Sequence, residues 1–350
     1  MAFFHYDLDT LVEPDDMLRT FKERLLVKEA AQERERWKKS LGREGYGSET
    51  GLRALFLQFL GNHSDREMER QLRYNMAYRW FCDFTFDSQT PDHTFFCRIR
   101  KAMGPENILV MFNKMVEDAK LRKIIKHFES FVDASAIRRK EAEWAKRDRE
   151  IEEEERARKE AKEQRQKQVA IEKKAPESGN TPERIKQFSA DTEARWGCKR
   201  NAENGRPAKY WFGYKRHYSV DTSSGMIEKL AVTQANVNDA TAFPLICPWG
   251  KRILADRGYD TWLVRDTMKD KGCIDRVMRL TKRKDFSAQR NKELSRRRSP
   301  WEMVFAHMNK RTRYMGLKKT TLQVIMEAIV YNLKRLIWLE GVNPPVIGLA

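Results

Sequence analysis

The sequence predicts an α/β protein, in which a helical N-terminal part precedes a mixed sheet with helices on both faces. Apolar residues recur at helical spacing through residues 48–128. The segments Tyr210–Asp221 and Gly225–Gln234 are rich in aromatic and β-branched residues and flank a short turn, which indicates a β-hairpin. Two short apolar runs each end in an acid, at Asp133 and Asp256. Strands of this kind with helices between them are typical of a mixed α/β sheet.

Helices account for the first part of the chain. The first of them, from about residue 48, is expected to end at Gly61. Ser64 is followed three residues later by Glu67, a capping box that starts a second helix, and the turn at 88–94 caps a third. Short helices, tight turns and several arginines would suit a helix-turn-helix reader of DNA. A plain helical bundle with a polar exterior is equally compatible with this pattern.

The second part supplies the sheet elements. Strands are expected at 127–133, 252–256 and 277–280 besides the hairpin, and helices near 262–269, from Trp301, and from about 322 to 340. We therefore assign a helical DNA-binding domain to 1–128, the sheet domain to 129–340 and a tail to 341–350. The highly charged segment 138–190 interrupts the sheet domain. Its part 138–174 has acid–base pairs at i,i+4 spacing and no sustained apolar seam, which predicts a solvated helical arm.

The charge balance restricts the class of partner. The chain has 69 Lys+Arg against 51 Asp+Glu, a formal net charge of +18, which favours nucleic acid or an anionic membrane face. No apolar run approaches the roughly 18–20 residues that span a bilayer, and neither a secretory signal nor a basic amphipathic helix is recognisable. Five cysteines at wide spacings argue against structural zinc and disulfides. We expect a cytoplasmic protein that binds nucleic acid and not membranes.

Three acids are candidates for catalysis. Glu302 stands at the head of a basic, aromatic-rich segment, 301–314, where a carboxylate could hold a metal ion beside a phosphodiester. The alternative is an ordinary helix with an acid in its first turn. With Asp133 and Asp256 it forms a trio that could bind two Mg²⁺ or Mn²⁺ ions about 3.5–4 Å apart. Oxygen ligands argue against zinc, but spacing alone does not decide, because a chain with 51 acids contains many such trios.

The residues around these acids carry a family resemblance. In chain order they are Phe131-Val132-Asp133-Ala134-Ser135, Tyr210-Trp211-Phe212-Gly213-Tyr214-Lys215 with Ser219-Val220-Asp221, Ala255-Asp256-Arg257-Gly258-Tyr259-Asp260, Glu302-x-x-Phe305-Ala306, Arg313-Tyr314-x-Gly316-Leu317 and Tyr331-Asn332-Leu333-Lys334-Arg335-Leu336. This ordered set resembles the DDE transposases of the IS5 group, within the larger IS4-like assemblage of bacterial insertion sequences. The resemblance covers roughly residues 48–137 and 190–340.

The resemblance implies a ribonuclease-H-like core in which Asp133, Asp256 and Glu302 are catalytic and bind two Mg²⁺ or Mn²⁺ ions. It implies metal-dependent cleavage at the ends of an element, followed by attack of the freed 3′-hydroxyls on target DNA. It further implies that the partner is double-stranded DNA, both the terminal inverted repeats of the element and the target, bound by a homodimer on paired ends that is associated with the bacterial nucleoid. Related enzymes often carry a lysine seven residues after the glutamate; Asn309 stands there, and Lys310 is the next residue.

Basic and aromatic residues near the acids are candidate DNA contacts: Lys215, Arg298, Lys310, Arg311, Arg313, Tyr314 and Lys318. Arg298 stands four residues before Glu302, where a related pattern has arginine, although Ser295 replaces the tyrosine of that pattern. Arg313 and Tyr314 could grip a phosphate or stack a displaced base. An ion pair and a core tyrosine are the alternative for these two residues.

Two other functions are left open. A catalytically inactive, transposase-derived DNA-binding protein would have the same basic charge, although the intact acid trio speaks against it. A nuclease with a ribonuclease-H fold but without strand transfer would have both the charge and the acids. The sequence does not separate that nuclease from a transposase, whereas inverted repeats flanking the gene would.

Overall fold

The computed structural model describes residues 7–36, 46–139, 189–199 and 209–341, together with the single residues 153, 156 and 185. Apart from a few residues, the predicted charged insertion and the predicted tail lie outside these described residues. Within them, no helix is both long and apolar enough to cross a membrane.

The N-terminal part is helical, as predicted. Its helices are α1 (Leu8–Leu11), α2 (Met17–Arg24), α3 (Val27–Arg36), α4 (Ser48–Leu60), α5 (Asp65–Tyr74), α6 (Met76–Phe81) and α7 (His93–Leu121). The predicted cap of α5 is confirmed, since Ser64 Oγ accepts a hydrogen bond of 3.1 Å from the amide of Glu67. The carboxylate of Asp92 caps α7 in the same way. A kink at Gly104, which has φ 65°, divides α7 just before Pro105.

The second part forms a six-stranded mixed sheet. Its strands are β1 (Glu129–Arg138), β2 (Arg195–Lys199), β3 (Lys209–Asp221), β4 (Ile227–Gln234), β5 (Arg252–Ala255) and β6 (Ile274–Val277). The order is β2-β3-β1-β5-β6, and β4 pairs with β3. The predicted hairpin is confirmed by the antiparallel pairing of β3 with β4. β1 is antiparallel to β3 and parallel to β5, and β5 is parallel to β6.

Helices cover both faces of this sheet. They are α8 (Asp239–Ile246), α9 (Trp262–Asp270), α10 (Ala288–Glu302) and α11 (Leu317–Leu339), in addition to α7. Phe131 belongs to a large core shared with α4, α7 and α11, whereas its neighbour Val132 belongs to a smaller core shared with α8 and α9. Successive side chains of a strand point to opposite faces, so β1 is buried on both. The N-terminal helices and one face of the sheet therefore share the larger core.

The structure corrects the predicted end of β1 and the predicted position of β6. β1 continues for five residues beyond Asp133, because residues 134–138 pair with the long strand β3. Asp133 therefore lies within a strand and not at its end. β6 covers Ile274–Val277 and not the predicted 277–280, because its register with β5 starts at Ile274.

The prediction that Glu302 opens a helix is wrong. Glu302 is the last residue of α10, which begins after Ser287, whose hydroxyl accepts from the amide of Arg290. Pro300 lies in the last turn of this helix. A 3-10 turn, Met303–His307, follows. Glu302 thus lies at the negative end of a helix dipole, where that dipole does not stabilise its charge.

Candidate active site

The parallel pairing of β1 with β5 brings two of the predicted acids together. The pairing matches Glu129 with Arg252 and Phe131 with Leu254. Continued by two residues, the same register sets Asp133 opposite Asp256, immediately after β5 ends. Neighbouring strands lie about 4.8 Å apart, and residues at one level of a parallel pair point to the same face. The two aspartates are therefore neighbours at one edge of the sheet.

Helix α10 adds the third acid through Arg298. This helix packs against β1 and β5, and Arg298 lies one turn before Glu302 on the same helix face. Arg298 Nη2 is 3.1 Å from Asp133 Oδ2 and 3.4 Å from Glu302 Oε1. The side chain of Arg298 is 10% exposed, that of Asp133 21% and that of Glu302 55%. The guanidinium thus joins the two acids at the border between core and solvent.

The electrostatic surroundings of Asp133 are unfavourable to its negative charge. The pKa of this carboxyl is raised from 3.8 to about 7, mainly by burial and next by the negative charge of Asp256. Arg298 and the hydrogen bond from the amide of Ala134 oppose the shift, whereas Glu302 adds to it. Both neighbouring acids thus act electrostatically on Asp133, which is the behaviour of carboxylates gathered in one site.

The segment after Asp256 contains two residues that sequence reasoning did not single out. The carboxylate of Asp256 accepts from the amide of Gly258 at 2.8 Å. The hydroxyl of Tyr259 is buried and has no hydrogen-bond partner among the described residues; burial raises its pKa, and Asp133 contributes. Asp260 is buried and forms ion pairs with three arginines, Arg265, Arg279 and Arg283. These arginines follow Asp260 at irregular spacings of 5, 19 and 23 residues, so no sequence signal predicted their convergence.

The three acids suit a hard divalent cation by the chemistry of their donors. Carboxylate oxygens are the ligands that Mg²⁺ and Mn²⁺ prefer. Asp256 and Glu302 add their negative charges to the effect of burial in raising the pKa of Asp133, and a bound cation would neutralise those charges. In the part of the chain that the structure describes, no three His, Cys, Asp or Glu are already arranged to hold a metal ion. Arg298 lies between Asp133 and Glu302 instead.

Three of the predicted DNA contacts are engaged inside the protein. Lys215 Nζ donates to the carbonyl of Val237 at 2.8 Å and to Asp239 Oδ1 at 2.9 Å. Arg313 donates to the carbonyl of His63 at 3.0 Å, so it ties this segment to the N-terminal helices. Tyr314 packs under Arg100, whose Cζ is 4.5 Å from the ring centroid, and its hydroxyl is buried. The burial of Tyr314 agrees with the alternative of a core tyrosine, whereas Arg313 bonds to the neutral oxygens of His63 and Asn62 and not to the acid of an ion pair.

Three other predicted DNA contacts, Lys310, Arg311 and Lys318, follow Glu302 in sequence and are exposed to solvent. Of these, Lys318 lies beside Glu106 at 3.3 Å. Asn309 donates to Glu327 Oε1 at 3.0 Å, and its carbonyl accepts from Arg216. The position at which related enzymes often carry lysine is therefore a structural contact in this chain. Lys310 follows it on the exposed surface, beyond the 3-10 turn and not on a helix.

Two family models match the chain. The family described as “Transposase domain (DUF772)” matches residues 6–102, and the family described as “Transposase DDE domain” matches residues 130–333. The second match covers more than half of the 350 residues and includes Asp133, Asp256 and Glu302.

The chain is also similar to individual proteins. One solved structure, described as “Cryo-EM structure of piggyBac transposase synaptic complex with hairpin DNA (SNHP)”, aligns with a TM-score of 0.38 and 8% identity over 95% of this chain and 77% of that chain. The “Transposase for insertion sequence element IS1106” of Neisseria meningitidis serogroup B is 32% identical over 157 residues, which are 41% of this chain and 52% of that protein. The chain thus spans about half the length of this curated relative.

Proposed function

The chain belongs to the transposase DDE domain family, and from this membership we propose that it cuts DNA at the ends of an insertion sequence and joins the freed 3′-hydroxyls to target DNA by transesterification. The register that sets Asp133 beside Asp256, with Glu302 joined to Asp133 through Arg298, supports this proposal most. Assignment to the IS5 group and to a ribonuclease-H-like core is part of it. An antiparallel meander, β1-β3-β4, followed by the parallel strands β5 and β6 supports that core.

In this proposal Asp133, Asp256 and Glu302 hold two Mg²⁺ or Mn²⁺ ions. Bound ions would activate the attacking oxygen and stabilise the leaving oxygen of the phosphodiester. Asp133 must be deprotonated to bind a cation, and its pKa of about 7 makes that requirement pH-dependent near neutrality. Arg298 neutralises part of the charge on Asp133 and Glu302 and keeps the two carboxylates near each other.

The DNA would lie along the exposed basic residues that follow Glu302. Lys310 and Arg311, between the 3-10 turn and α11, and Lys318, in the first turn of α11, would contact backbone phosphates, because their side chains face solvent. We assign recognition of the element ends to the helices of residues 1–128 and catalysis to residues 129–340. A homodimer on paired ends, in the bacterial cytoplasm and associated with the nucleoid, completes the proposal.

Cleavage of DNA that carries the gene's own flanking repeats tests this function. With Mg²⁺ or Mn²⁺ the chain should nick at the element ends and transfer the 3′ ends to a second DNA. The variants Asp133→Asn, Asp256→Asn and Glu302→Gln should bind this DNA without cutting it. Asp266→Asn, which changes an exposed acid on α9, is the matched control and should cut normally.

Three other outcomes would contradict the proposal, each in a different way. Binding without cutting by the unmodified chain, under either metal, would indicate the inactive DNA-binding protein. Cutting without strand transfer would indicate the nuclease. Cutting by all three variants would show that the acid assignment is wrong.

A further inference from the structure

A group of lysines lies at the edge of the sheet where β1 and β5 begin. We call it the lysine edge and define it as Lys120, Lys123, Lys126, Lys229 and Lys271. The first four line a cavity of about 570 Å³, together with Trp249 and others. Lys271 Nζ lies 5.9 Å from the centroid of the Trp249 ring. The lysine edge therefore groups five lysines around an exposed aromatic side chain.

The lysine edge is separate from the candidate active site. The cavity is lined by Lys126 and His127, just before β1, and by Lys251, just before β5. Asp133 follows His127 by six residues, which corresponds to about 20 Å along a strand. The acids and the lysines therefore lie toward opposite ends of the parallel strands, too far apart for one phosphate to contact both.

Little negative charge opposes these lysines. Lys229 and Lys271 both donate to the carbonyl of Cys247, at 3.0 and 2.9 Å, so two ammonium groups converge on one neutral acceptor. Burial lowers the pKa of Lys229, and the nearby charge of Lys271 lowers it further. The acid that lines the cavity, Glu228, already forms an ion pair of 3.0 Å with Lys251. The convergence leaves an excess of positive charge.

The outer lysines are available to a ligand. Lys120, Lys123 and Lys126 are exposed, and within the described ranges none of the three forms an ion pair with a carboxylate. The side chain of Trp249 is also exposed, at 62%. An array of ammonium groups spread over a surface, as distinct from one arginine fork, suits a ligand with repeated point charges. The phosphates of duplex DNA recur along the helix axis and can engage several such groups at once.

We propose that the lysine edge binds the phosphate backbone of a second segment of duplex DNA, while a first segment occupies the acids. This inference rests on the proposed function, since it presumes that DNA binds at the active site. It assigns the two ends of the parallel strands to different DNA segments. Contacts to phosphates carry no sequence information, so the second segment is bound without sequence preference and with a strong dependence on salt.

The test is the binding of a second duplex to the full-length chain. The Asp256→Asn variant is first saturated with unlabelled DNA that carries the element ends, and a labelled duplex of unrelated sequence is then titrated at several salt concentrations. The triple substitution Lys120→Ala, Lys123→Ala and Lys126→Ala should weaken this second binding by at least about tenfold. It should reduce the slope of log affinity against log salt by about 2.7, which is about 0.9 for each lost phosphate contact. The triple Lys→Arg variant at the same positions keeps the charge and should bind as before.

The outcomes separate this inference from the function on which it rests. If end DNA does not bind at all, the proposed function is contradicted. If end DNA binds normally but the second duplex binds the Lys→Ala variant with unchanged affinity and salt slope, only the lysine edge is contradicted. The assignment to DNA would also be overturned if an acidic polypeptide displaced the second duplex as effectively as competitor DNA does. A Trp249→Ala variant, which removes no charge, should leave the salt slope unchanged.

Discussion

Arg298 Nη2 donates a hydrogen bond of 3.1 Å to Asp133 Oδ2, from a helix that follows Asp133 by more than 150 residues of sequence. The same nitrogen lies 3.4 Å from Glu302 Oε1, and the guanidinium carbon lies 5.6 Å from the centroid of the Phe131 ring. A fixed positive charge thus lies between two carboxylates that we propose as metal ligands. A divalent cation would have to compete with Arg298 for the same oxygens, so this arginine sets both the charge and the accessibility of the site.

Replacing Arg298 with methionine should raise the pKa of Asp133 above its value of about 7. The guanidinium favours the charged carboxylate, and an adjacent opposite charge shifts a pKa by about 1–3 units. An increase on the order of one unit is expected, measured by carboxyl NMR titration in EDTA. Asp256→Asn should lower the pKa of Asp133, because it removes a neighbouring negative charge. The exposed residue Arg296, two positions earlier on α10, provides the matched control: Arg296→Met should leave the titration of Asp133 unchanged.

Asp133→Asn should increase stability at high pH in the absence of metal. A raised pKa means that the folded state binds the proton more tightly than the unfolded chain, so stability from this group is present below pH 3.8 and is lost as pH rises to about 7. Asparagine does not ionise, so the variant does not lose this stability as the pH rises. Relative to the unmodified chain, the free energy of unfolding of the variant should therefore gain on the order of 1–3 kcal/mol between pH 5 and pH 8.

Urea unfolding of both proteins in EDTA at pH 5 and pH 8 measures this effect. The comparison at two pH values is its own control, because a simple packing defect from the substitution would be the same at both. An equal difference at the two pH values would show that the carboxyl of Asp133 is not destabilised by ionisation in the folded chain.

Much of the fold follows from local sequence signals. The cap at Ser64, the capping turn at 88–94 and the hairpin of β3 with β4 are confirmed, because side-chain–backbone bonds and strand periodicity act over a few residues. Family membership is confirmed as well. The place of Glu302 was mispredicted, because the basic segment that follows it was taken as a helix beginning at Trp301, whereas α10 ends at Glu302. That choice depends on tertiary packing, which local propensity does not contain.

The candidate site was predictable in its acids but not in its partners. Asp133 and Asp256 were predicted from strands ending in acids, and their common level depends on the register of β1 with β5. The contact of Arg298 with Asp133 joins residues far apart in sequence. For Lys215 and Arg313, a basic side chain near the acids predicted DNA contact, but sequence does not reveal whether an internal acceptor is closer. Their bonds to Asp239 and to the His63 carbonyl answer that question.

Removing Glu327 should destabilise the fold strongly. Glu327 on α11 forms an ion pair of 2.8 Å with Arg216 on β3, and the two side chains are 6% and 1% exposed. Glu327→Ala leaves a buried guanidinium without its counter-charge, which costs about 3–5 kcal/mol. Thermal or urea unfolding measures this loss. Lys318→Ala breaks an ion pair whose two side chains are each 69% exposed, and it should change stability by less than about 1 kcal/mol. Equal effects of the two substitutions would contradict the structural role of the Arg216 pair.

Lys215 and Lys310 should respond to substitution in opposite ways, although both were predicted to contact DNA. Lys215 Nζ is bonded to Val237 and Asp239, so Lys215→Ala removes contacts at the start of α8 and should lower the free energy of unfolding by about 1–3 kcal/mol. Lys310 is exposed, so Lys310→Ala should leave unfolding unchanged and reduce the salt slope of DNA binding by about 1. Arg311→Ala should act like Lys310→Ala. A salt slope that falls for Lys215→Ala without a loss of stability would show that Lys215 leaves its internal partners to bind phosphate.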